Sequence, residues 1–495
     1  MTVNTETELA FTVLDRASVE NHHLFKDRDI TSHRLRLLST YFDTSNHVLG
    51  GAGWSLRHRQ YGEKWFQTVK GPTVMATRPE LEIPCDGQVL VIDHLRTTPI
   101  WRLINGNPQD LTPVFQTDIR RAAGDLHLPT ATIETAIDDG NIYNMDRSRR
   151  LPISDLELEK KSGDITTLFR VAVELAIDTR IMIETASKAQ RGYQLIEGVG
   201  PQFCKYGDID LAHDTTAIDG LQHIIVAIVA HLRQNVKAAY VGQPGGIHQL
   251  RVAIRRMRAA LLMFKPVLRA DTVAAFDTEL RYFGQVFGEA RDWDVFITET
   301  LVMATRDLPH AKWLGLIENI AKKQQLRVHA SIASVIENSR FNSLLIGLMG
   351  WAAHIPARSR VSERTIRKVV PALLTGVADK VATRERKLTA DPDTVHALRK
   401  SLKKLRYAIE FVDSLYPCKI VRAFLTPCKD IQDVLGCAND LVVTHKLLSV
   451  LLGENAALAP AIEELSGWLS HRERMAIDAL PKLLRRLRQD EPFWN

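Results

Sequence analysis

Within the first 200 residues, like charges recur two positions apart, as Glu6/Glu8, Arg57/Arg59, Glu80/Glu82 and Glu157/Glu159, and Glu134 and Asp138 add an i,i+4 pair. Residues two apart on a strand point to one face, so each pair projects together. The bland role for such pairs is the solvated face of half-buried strands. Because acidic-only and basic-only pairs recur on separate segments, a second role opens. If the strands close into a barrel with the charges inward, the interior is a polar tunnel with acidic and basic walls. Such a lumen is costly when empty and dry, and suits a polyanion bridged by divalent cations. Hard cations such as Mg²⁺ or Mn²⁺ prefer carboxylate oxygens, which Glu6, Glu8, Asp138, Glu157 and Glu159 could supply. Arg57, Arg59, Lys70 and Lys188 could neutralise phosphate oxygens, Arg through its bidentate fork and Lys as a point charge. Phosphoryl transfer needs mainly positioning, charge neutralisation and an in-line nucleophile, which a divalent cation can generate from water.

A second constellation lies in the other half. On a helix, His248, Arg251, Arg255 and Arg258 fall within one sector of about 80°. Leu250, Ala253, Ile254, Met257 and Leu261 fall opposite. His396, Arg399, Lys403 and Arg406 repeat the stripe 148 positions later, opposed to Leu398, Leu402, Leu405 and Ile409. The same offset carries Pro244 onto Pro392, Arg256 onto Lys404, Gly288 onto Gly436 and Asp292 onto Asp440 without a gap. Neither stripe contains an acid, and like charges at i,i+4 destabilise a helix unless an anion joins them. The alternative is a solvated face, or one paired with acids such as Asp292 and Asp440. No second ligand at metal spacing accompanies His248 or His396, so a phosphate-contacting or helix-positioning role is expected of them.

Two textures position these groups. Up to about residue 200, short alternating segments punctuated by Gly and Pro predict antiparallel strands over 6–13, 54–60, 64–70, 80–84, 131–138 and 155–159, with a helix over 166–177. Beyond it, three- and four-residue spacing predicts helices over 221–240, 247–264 and 398–412. The expected fold is multidomain α+β. A β-tunnel domain spans 1–200, a linker 201–218, and two related helical bundles 219–366 and 367–495, packed about a pseudo-twofold axis. The 495 residues are 45% apolar and 25% charged, which excludes wholesale disorder and fibrous repeats. A net charge of +6 hides an asymmetry: residues 1–200 hold 23 Lys+Arg against 27 Asp+Glu, leaving 41 against 31 for the remainder. An acidic part followed by a basic part suggests two tasks, the second involving an anion. Five cysteines with no C-x-x-C pair predict reduced thiols. The start, Met1 to Glu8, has neither a basic nor an apolar leader region, and the apolar stretches noted, 224–230 and 344–353, are short of a membrane span. A cytoplasmic protein that engages no membrane is expected.

The ordered set Glu6-Thr-Glu8, Leu56-Arg57-His58-Arg59, Thr68-Val69-Lys70, Pro79-Glu80-Leu81-Glu82, Glu134-x-x-x-Asp138-x-Gly140, Glu157-Leu158-Glu159 and Ser187-Lys188-Ala189-x-Arg191-Gly192-Tyr193 resembles the CYTH domain, the triphosphate tunnel metalloenzymes. The resemblance covers nearly all of residues 1–200. It implies an eight-stranded closed tunnel and metal-dependent hydrolysis of a triphosphate, and members with a long helical C-terminal extension tend to be inorganic triphosphatases. Glu6, Glu8, Asp138, Glu157 and Glu159 resemble the metal-side acids. Arg57, Arg59, Lys70 and Lys188 resemble the phosphate clamps, with Arg121 or its neighbour Arg120 as another, and Glu80, Glu82 and Glu134 match further tunnel acids. One position departs. Where the family's opening motif Glu-x-Glu-x-Lys has its lysine, this chain has Ala10. Losing a charge-assisted hydrogen bond to phosphate costs about 1.5–3 kcal/mol, so the resemblance leaves open either a hydrolase with a weakened clamp or a substrate-binding scaffold without turnover.

The duplicated His-x-x-Arg helices, with Gly288-Glu-Ala-Arg291-Asp292 and Gly436-Cys-Ala-Asn439-Asp440, resemble the CHAD domain over 219 to about 490. That implies binding of inorganic polyphosphate, in bacteria often at polyphosphate granules, by His248, Arg251, Arg255, Arg256, Arg258, His396, Arg399, Lys403, Lys404 and Arg406. The joint expectation is hydrolysis of tripolyphosphate or short polyphosphate with Mg²⁺ or Mn²⁺ in the tunnel, and polyphosphate held by the helices. Nucleic acid is disfavoured as the anion, since no aromatics interleave with the basic residues.

Overall fold

The computed structural model describes residues 4–26, 34–87, 89–355, 363–389, 391–489 and 492–494. Met1 to Val3 of the N-terminal stretch and the side chain of Asn439 lie outside what is described. Two compact units divide the chain. The first comprises residues 1–203 with two later returns, 236–241 and 334–354, and the second holds the rest.

Among the described residues, nine strands build the first unit: β1 (Asn4–Val13), β2 (Arg34–Asp43), β3 (Ser55–Tyr61), β4 (Lys64–Lys70), β5 (Thr77–Cys85), β6 (Thr112–Leu128), β7 (Ala131–Asn144), β8 (Arg150–Gly163) and β9 (Ile181–Glu184). They pair in the order β5-β4-β3-β2-β6-β7-β8-β1-β9, and β1 also pairs with β5. Every pairing is antiparallel. The closure is made along β1, whose Asn4–Thr7 meets β5 while Glu8–Thr12 meets β8. Strands β1 to β8 are therefore an eight-stranded antiparallel barrel, with β9 appended where β1 outruns β5.

The alternation runs opposite to that of an ordinary small barrel, whose interior is filled by apolar side chains. Leu9, Phe11, Leu56, Val69, Leu156 and Leu158 interleave with the charged pairs and are at most 2% exposed, so they face outward under a covering layer. That layer includes the helix Ile165–Asp178, whose Leu168, Phe169, Val171, Ala172 and Leu175 are buried. It packs against β7, β8 and the helix Ser339–Ala353. The charged residues are left with the lumen.

The second unit is helical, and its elements obey the 148-residue offset. Helix Pro244–Met263 corresponds to Pro392–Glu410, and the 3₁₀ turn Lys265–Val267 to Asp413–Leu415. The run beginning at Ala270 and continuing through a π-helical turn to Asp307 corresponds to the single helix Cys418–Glu454. Helix Leu314–Glu337 falls within the counterpart of Ala459–Gln489. Equivalent helices meet, Pro244–Met263 against Pro392–Glu410 and Ala270–Val295 against Cys418–Glu454. The helix Ser339–Ala353 follows the first repeat without a counterpart and belongs to the first unit. Among the described residues, Cys418–Glu454 is long and apolar enough by length and composition to cross a membrane. Its Leu447, Leu448 and Leu451 pack with Trp293, Phe296, Leu301 and Leu465 in a protein core.

Candidate active site and a paired basic face

The barrel encloses a cavity of about 290 Å³ lined by eight acids and eight bases, among them Glu6, Glu8, Arg57, Arg59, Lys70, Glu80, Glu82, Arg121, Glu134, Glu157, Glu159 and Lys188. Strand alternation delivers them: β1 contributes Glu6, Glu8 and Ala10, β3 Arg57 and Arg59, β5 Glu80 and Glu82, and β8 Asp155, Glu157, Glu159 and Lys161. Lys188 enters from the first turn of the helix Lys188–Glu197. Ser187 Oγ accepts the Gln190 N–H at 3.2 Å while Gln190 Oε1 accepts the Ser187 N–H at 2.8 Å, a reciprocal cap that fixes the start of the helix. Arg191 of this helix binds Asp155, and the Tyr193 hydroxyl donates to Asp43 Oδ2 at 2.7 Å. Gly192 lets the helix lie on β6, since a Cβ there would stand 2.2 Å from the Phe115 ring.

The charges are not evenly matched. Lys70 Nζ lies 2.8 and 2.9 Å from the two oxygens of Glu6 and 2.9 Å from Glu80. Arg121 binds both oxygens of Asp138 at 2.7 Å and also reaches Glu157, which Lys188 contacts too. Burial alone would raise the Glu6 and Glu157 carboxyls. Lys70 and Arg78 outweigh it at Glu6, as Lys188 and Arg121 do at Glu157, so both are held below the usual carboxylate range. Glu8 goes the other way. Burial and the neighbouring Glu157 push its carboxyl up to about 8, against the opposing pull of Arg78. Arg57 and Arg59 have no ion-pair partner among the described residues. Burial, then the neighbouring Arg57 and Arg121, brings Arg59 down to about 10. The lumen thus has a place short of positive charge at Glu8 and another short of negative charge at Arg59, whereas Lys188 and Arg121 compensate Glu157, and Tyr41, Glu80 and Glu82 outweigh burial at Arg57. An all-oxygen carboxylate set with one member driven toward protonation fits a hard divalent cation.

Of the two neighbours left open by sequence, Arg121 lines the cavity, whereas Arg120 faces a separate outer pocket with Arg16 and Asp139. Asp138 does not line the cavity; it is fully buried behind it, its oxygens taken by Arg121 and, at 2.8 Å, by Lys188. Glu134 and Glu159 share Lys161, at 3.1 and 3.0 Å. Sequence reasoning missed Lys161, Tyr41 and, above all, Arg78. Its Nε lies 2.5 Å from Glu6 Oε2 and its guanidinium 3.0 Å from Glu8 Oε2. The signal was present, because Arg78, Glu80 and Glu82 are spaced two apart on one strand. Ala10 lines the cavity in register with Glu157 of β8 and Glu184 of β9.

In the second unit the two basic stripes converge because their helices pack together. Lys403 is pushed down to about 6 by burial and then by Arg399, Arg255, Arg251 and Arg406. Burial, with Arg291, Arg255, Arg251 and Lys403 around it, holds His248 at about 4. Acids stand at the margins. Arg251 lies 2.9 Å from Asp292, Arg399 4.0 Å from Asp440, and Arg406 3.2 Å from Glu410. His396, at the start of the second stripe, is partly buried. Three of the residues expected to hold polyphosphate have other surroundings. Arg256 lies between the Tyr206 and Tyr407 rings, at 3.9 and 4.8 Å, and pairs with Glu410 at 2.7 Å. Arg258 pairs with Asp277 at 2.7 Å. Lys404 lines another cavity with Lys380, Arg384 and Lys387.

Comparison with known proteins follows the same division. Residues 4–193 match the model of the CYTH domain and residues 223–449 that of the CHAD domain. An inorganic triphosphatase of Haemophilus influenzae is 31% identical over 197 residues, 38% of this chain and 54% of the relative, so the chain spans about half the length of the curated relative it matches. The crystal structure of the CHAD domain from the plant Ricinus communis is 25% identical, covers 58% of this chain and 97% of its own, and superposes with a TM-score of 0.51. PptA from Streptomyces chartreusis, 15% identical, covers 56% of this chain and all of its own at a TM-score of 0.46. The chain is a CYTH–CHAD protein, with a CYTH domain over residues 4–193 and a CHAD domain over residues 223–449.

Proposed function

We propose that the tunnel hydrolyses inorganic triphosphate or short polyphosphate with a divalent cation, Mg²⁺ or Mn²⁺, and that the basic face of the CHAD domain holds inorganic polyphosphate. The observation that carries the first part is one lumen with an under-compensated guanidinium at Arg59, beside Arg57, and an under-compensated carboxyl at Glu8, beside Glu157. A linear triphosphate with its cation supplies both missing charges. Glu6, Glu8, Glu157 and Glu159 would hold the cation, with Asp138 orienting Arg121 and Lys188 from behind. When bound, the cation would withdraw charge from the phosphate oxygens and acidify water. Arg57 and Arg59 would clamp the phosphoryl groups, while Lys70, Arg78, Arg121 and Lys188 exchange their carboxylate partners for phosphate oxygens. Arg78, already beside Glu6 and Glu8, places a cation next to the two glutamates of the opening motif, where Ala10 has none.

The paired basic stripes support the second part. Converging cations that depress Lys403 and His248 gain most from a repeating anion that needs no base-edge readout. The protein would then reside in the cytoplasm, where such chains and their granules occur. Phosphate release from tripolyphosphate tests the hydrolase: Mg²⁺- or Mn²⁺-dependent turnover that disappears in Glu157→Gln is expected. Triphosphate binding without any release above background would favour the scaffold reading that Ala10 keeps open.

A further inference from the structure

Outside the tunnel, two histidines and two carboxylates converge on the surface of the CYTH domain. His22 and His23 are consecutive, their ring centroids 4.4 Å apart and their planes inclined by 41°. Glu174 and Asp178 sit one turn apart at the end of the helix Ile165–Asp178. His23 Nε2 lies 3.0 Å from Glu174 Oε1, and His22 Nε2 lies 3.4 Å from Asp178 Oδ2. Available ligand atoms of His22, His23 and Glu174 all fall within 4.8 Å of one another.

We infer that His22, His23 and Glu174, with Asp178 as the fourth donor, form a site for a borderline divalent transition metal of the zinc class. Two imidazole nitrogens and carboxylate oxygens are a donor set that such ions take in tetrahedral geometry, and that Mg²⁺ does not favour. Around a zinc ion with bonds near 2.0–2.1 Å, adjacent donors stand about 3.4 Å apart. The His23–Glu174 and His22–Asp178 pairs, at 3.0 and 3.4 Å, already stand near that spacing, and the wider spacings among His22, His23 and Glu174, at most 4.8 Å, close through the exposed His23 and Glu174 side chains. The site is half built: the His22 side chain is 5% exposed and fixed against Phe25, whereas His23, 67% exposed, and Glu174, 39% exposed, are free to close and open to entering metal. Two carboxylates neutralise the dication, so no net charge is left at the surface. Ligation through His22 Nε2 moves that ring's proton to Nδ1 and gives up the Leu24 N–H contact to Nδ1, a long one at 3.3 Å. The ion would staple the turn at 21–23 onto the helix carrying Glu174 and Asp178. Its donors are not shared with the tunnel.

The test uses the full chain, stripped with chelator and titrated with Co²⁺ as a spectroscopic stand-in for Zn²⁺, then with Zn²⁺ in competition. One equivalent should give the visible absorption of a four-coordinate, nitrogen-ligated cobalt and raise the thermal midpoint. His23→Asn and Glu174→Gln replace exposed side chains and should leave the metal-free midpoint unchanged. Each should weaken binding at least tenfold, and together they should abolish the signal. Glu157→Gln, in the tunnel, should leave it intact. The assignment is overturned if wild type shows no nitrogen-ligated equivalent, or if the double variant binds Co²⁺ with the wild-type spectrum and affinity.

Discussion

The basic face of the CHAD domain makes a quantitative prediction about protons. Lys403 is held at about 6, against 10.5 for an unperturbed amine, by burial and by Arg399, Arg255, Arg251 and Arg406. At pH 8, two units above that value, only about one per cent of the amine is charged. A bound polyphosphate contributes negative charge and returns the amine toward its ordinary value, so binding takes up a proton between pH 6 and the raised value. The sign follows: association tightens as pH falls toward 6 and levels off below it. With one proton linked, the change approaches about tenfold per unit well above pH 6 and totals about fiftyfold from pH 8 to pH 6. His248 also faces the amine, and Asp292 and Asp440 pair with Arg251 and Arg399 beside it. His248, held at about 4, titrates below this window. Calorimetry with long-chain polyphosphate at fixed ionic strength, in buffers of different protonation enthalpy, measures both slope and proton uptake. Lys403→Met should flatten the slope and remove the buffer-dependent heat. Wild-type affinity independent of pH, or a slope unchanged in Lys403→Met, would refute the reasoning.

Replacing Arg57 and Arg59 together by Ala should abolish triphosphate hydrolysis while polyphosphate retention by the full chain persists; phosphate release and co-sedimentation read the two separately. Arg78→Ala should lower kcat/KM about ten- to a hundredfold, the worth of about 1.5–3 kcal/mol of charge-assisted hydrogen bonding. Ala10→Lys should recover more in that background than in wild type, a coupling that a double-mutant cycle measures. Replacing Arg251, Arg255, Arg399 and Lys403 by Ala should weaken polyphosphate binding and reduce the slope of log K against log salt by roughly three. Gly192→Ala should destabilise the first unit by about 1–3 kcal/mol in denaturant unfolding, because its Cβ meets the Phe115 ring.

Much of the tunnel was legible because its alternation is strict and its charges unusual. The segment 64–70 coincides with β4, and the helix expected over 166–177 is Ile165–Asp178. Strands β2, β6 and β9 were not anticipated. In β6 the Gly124-Asp125 step and Pro113 read as turn signals, yet pairing with β7 along its length overrides local propensity. The four residues of β9, Ile-Met-Ile-Glu, are too short for periodicity to separate strand from buried helix. The helical repeat was readable from the 148-residue offset alone. What the offset could not reveal is that helix Ser339–Ala353, lacking a counterpart, packs within the first unit, where Asn342 Oδ1 accepts the Ile183 N–H of β9 at 2.9 Å. Helical phase placed Arg258 on the basic stripe and the resemblance added Arg256, but Tyr206, Tyr407, Glu410 and Asp277 come from segments whose packing no single helix encodes.

On the proposed function, one lumen serves a cation-bridged triphosphate. Diffraction from crystals grown with tripolyphosphate and Mn²⁺, at a wavelength where manganese scatters anomalously, tests it directly. An anomalous peak is expected among Glu6, Glu8, Glu157 and Glu159, with phosphoryl groups on Arg57, Arg59, Lys70 and Lys188. Manganese and phosphate bound only outside the barrel, with the tunnel ion pairs undisturbed, would contradict it.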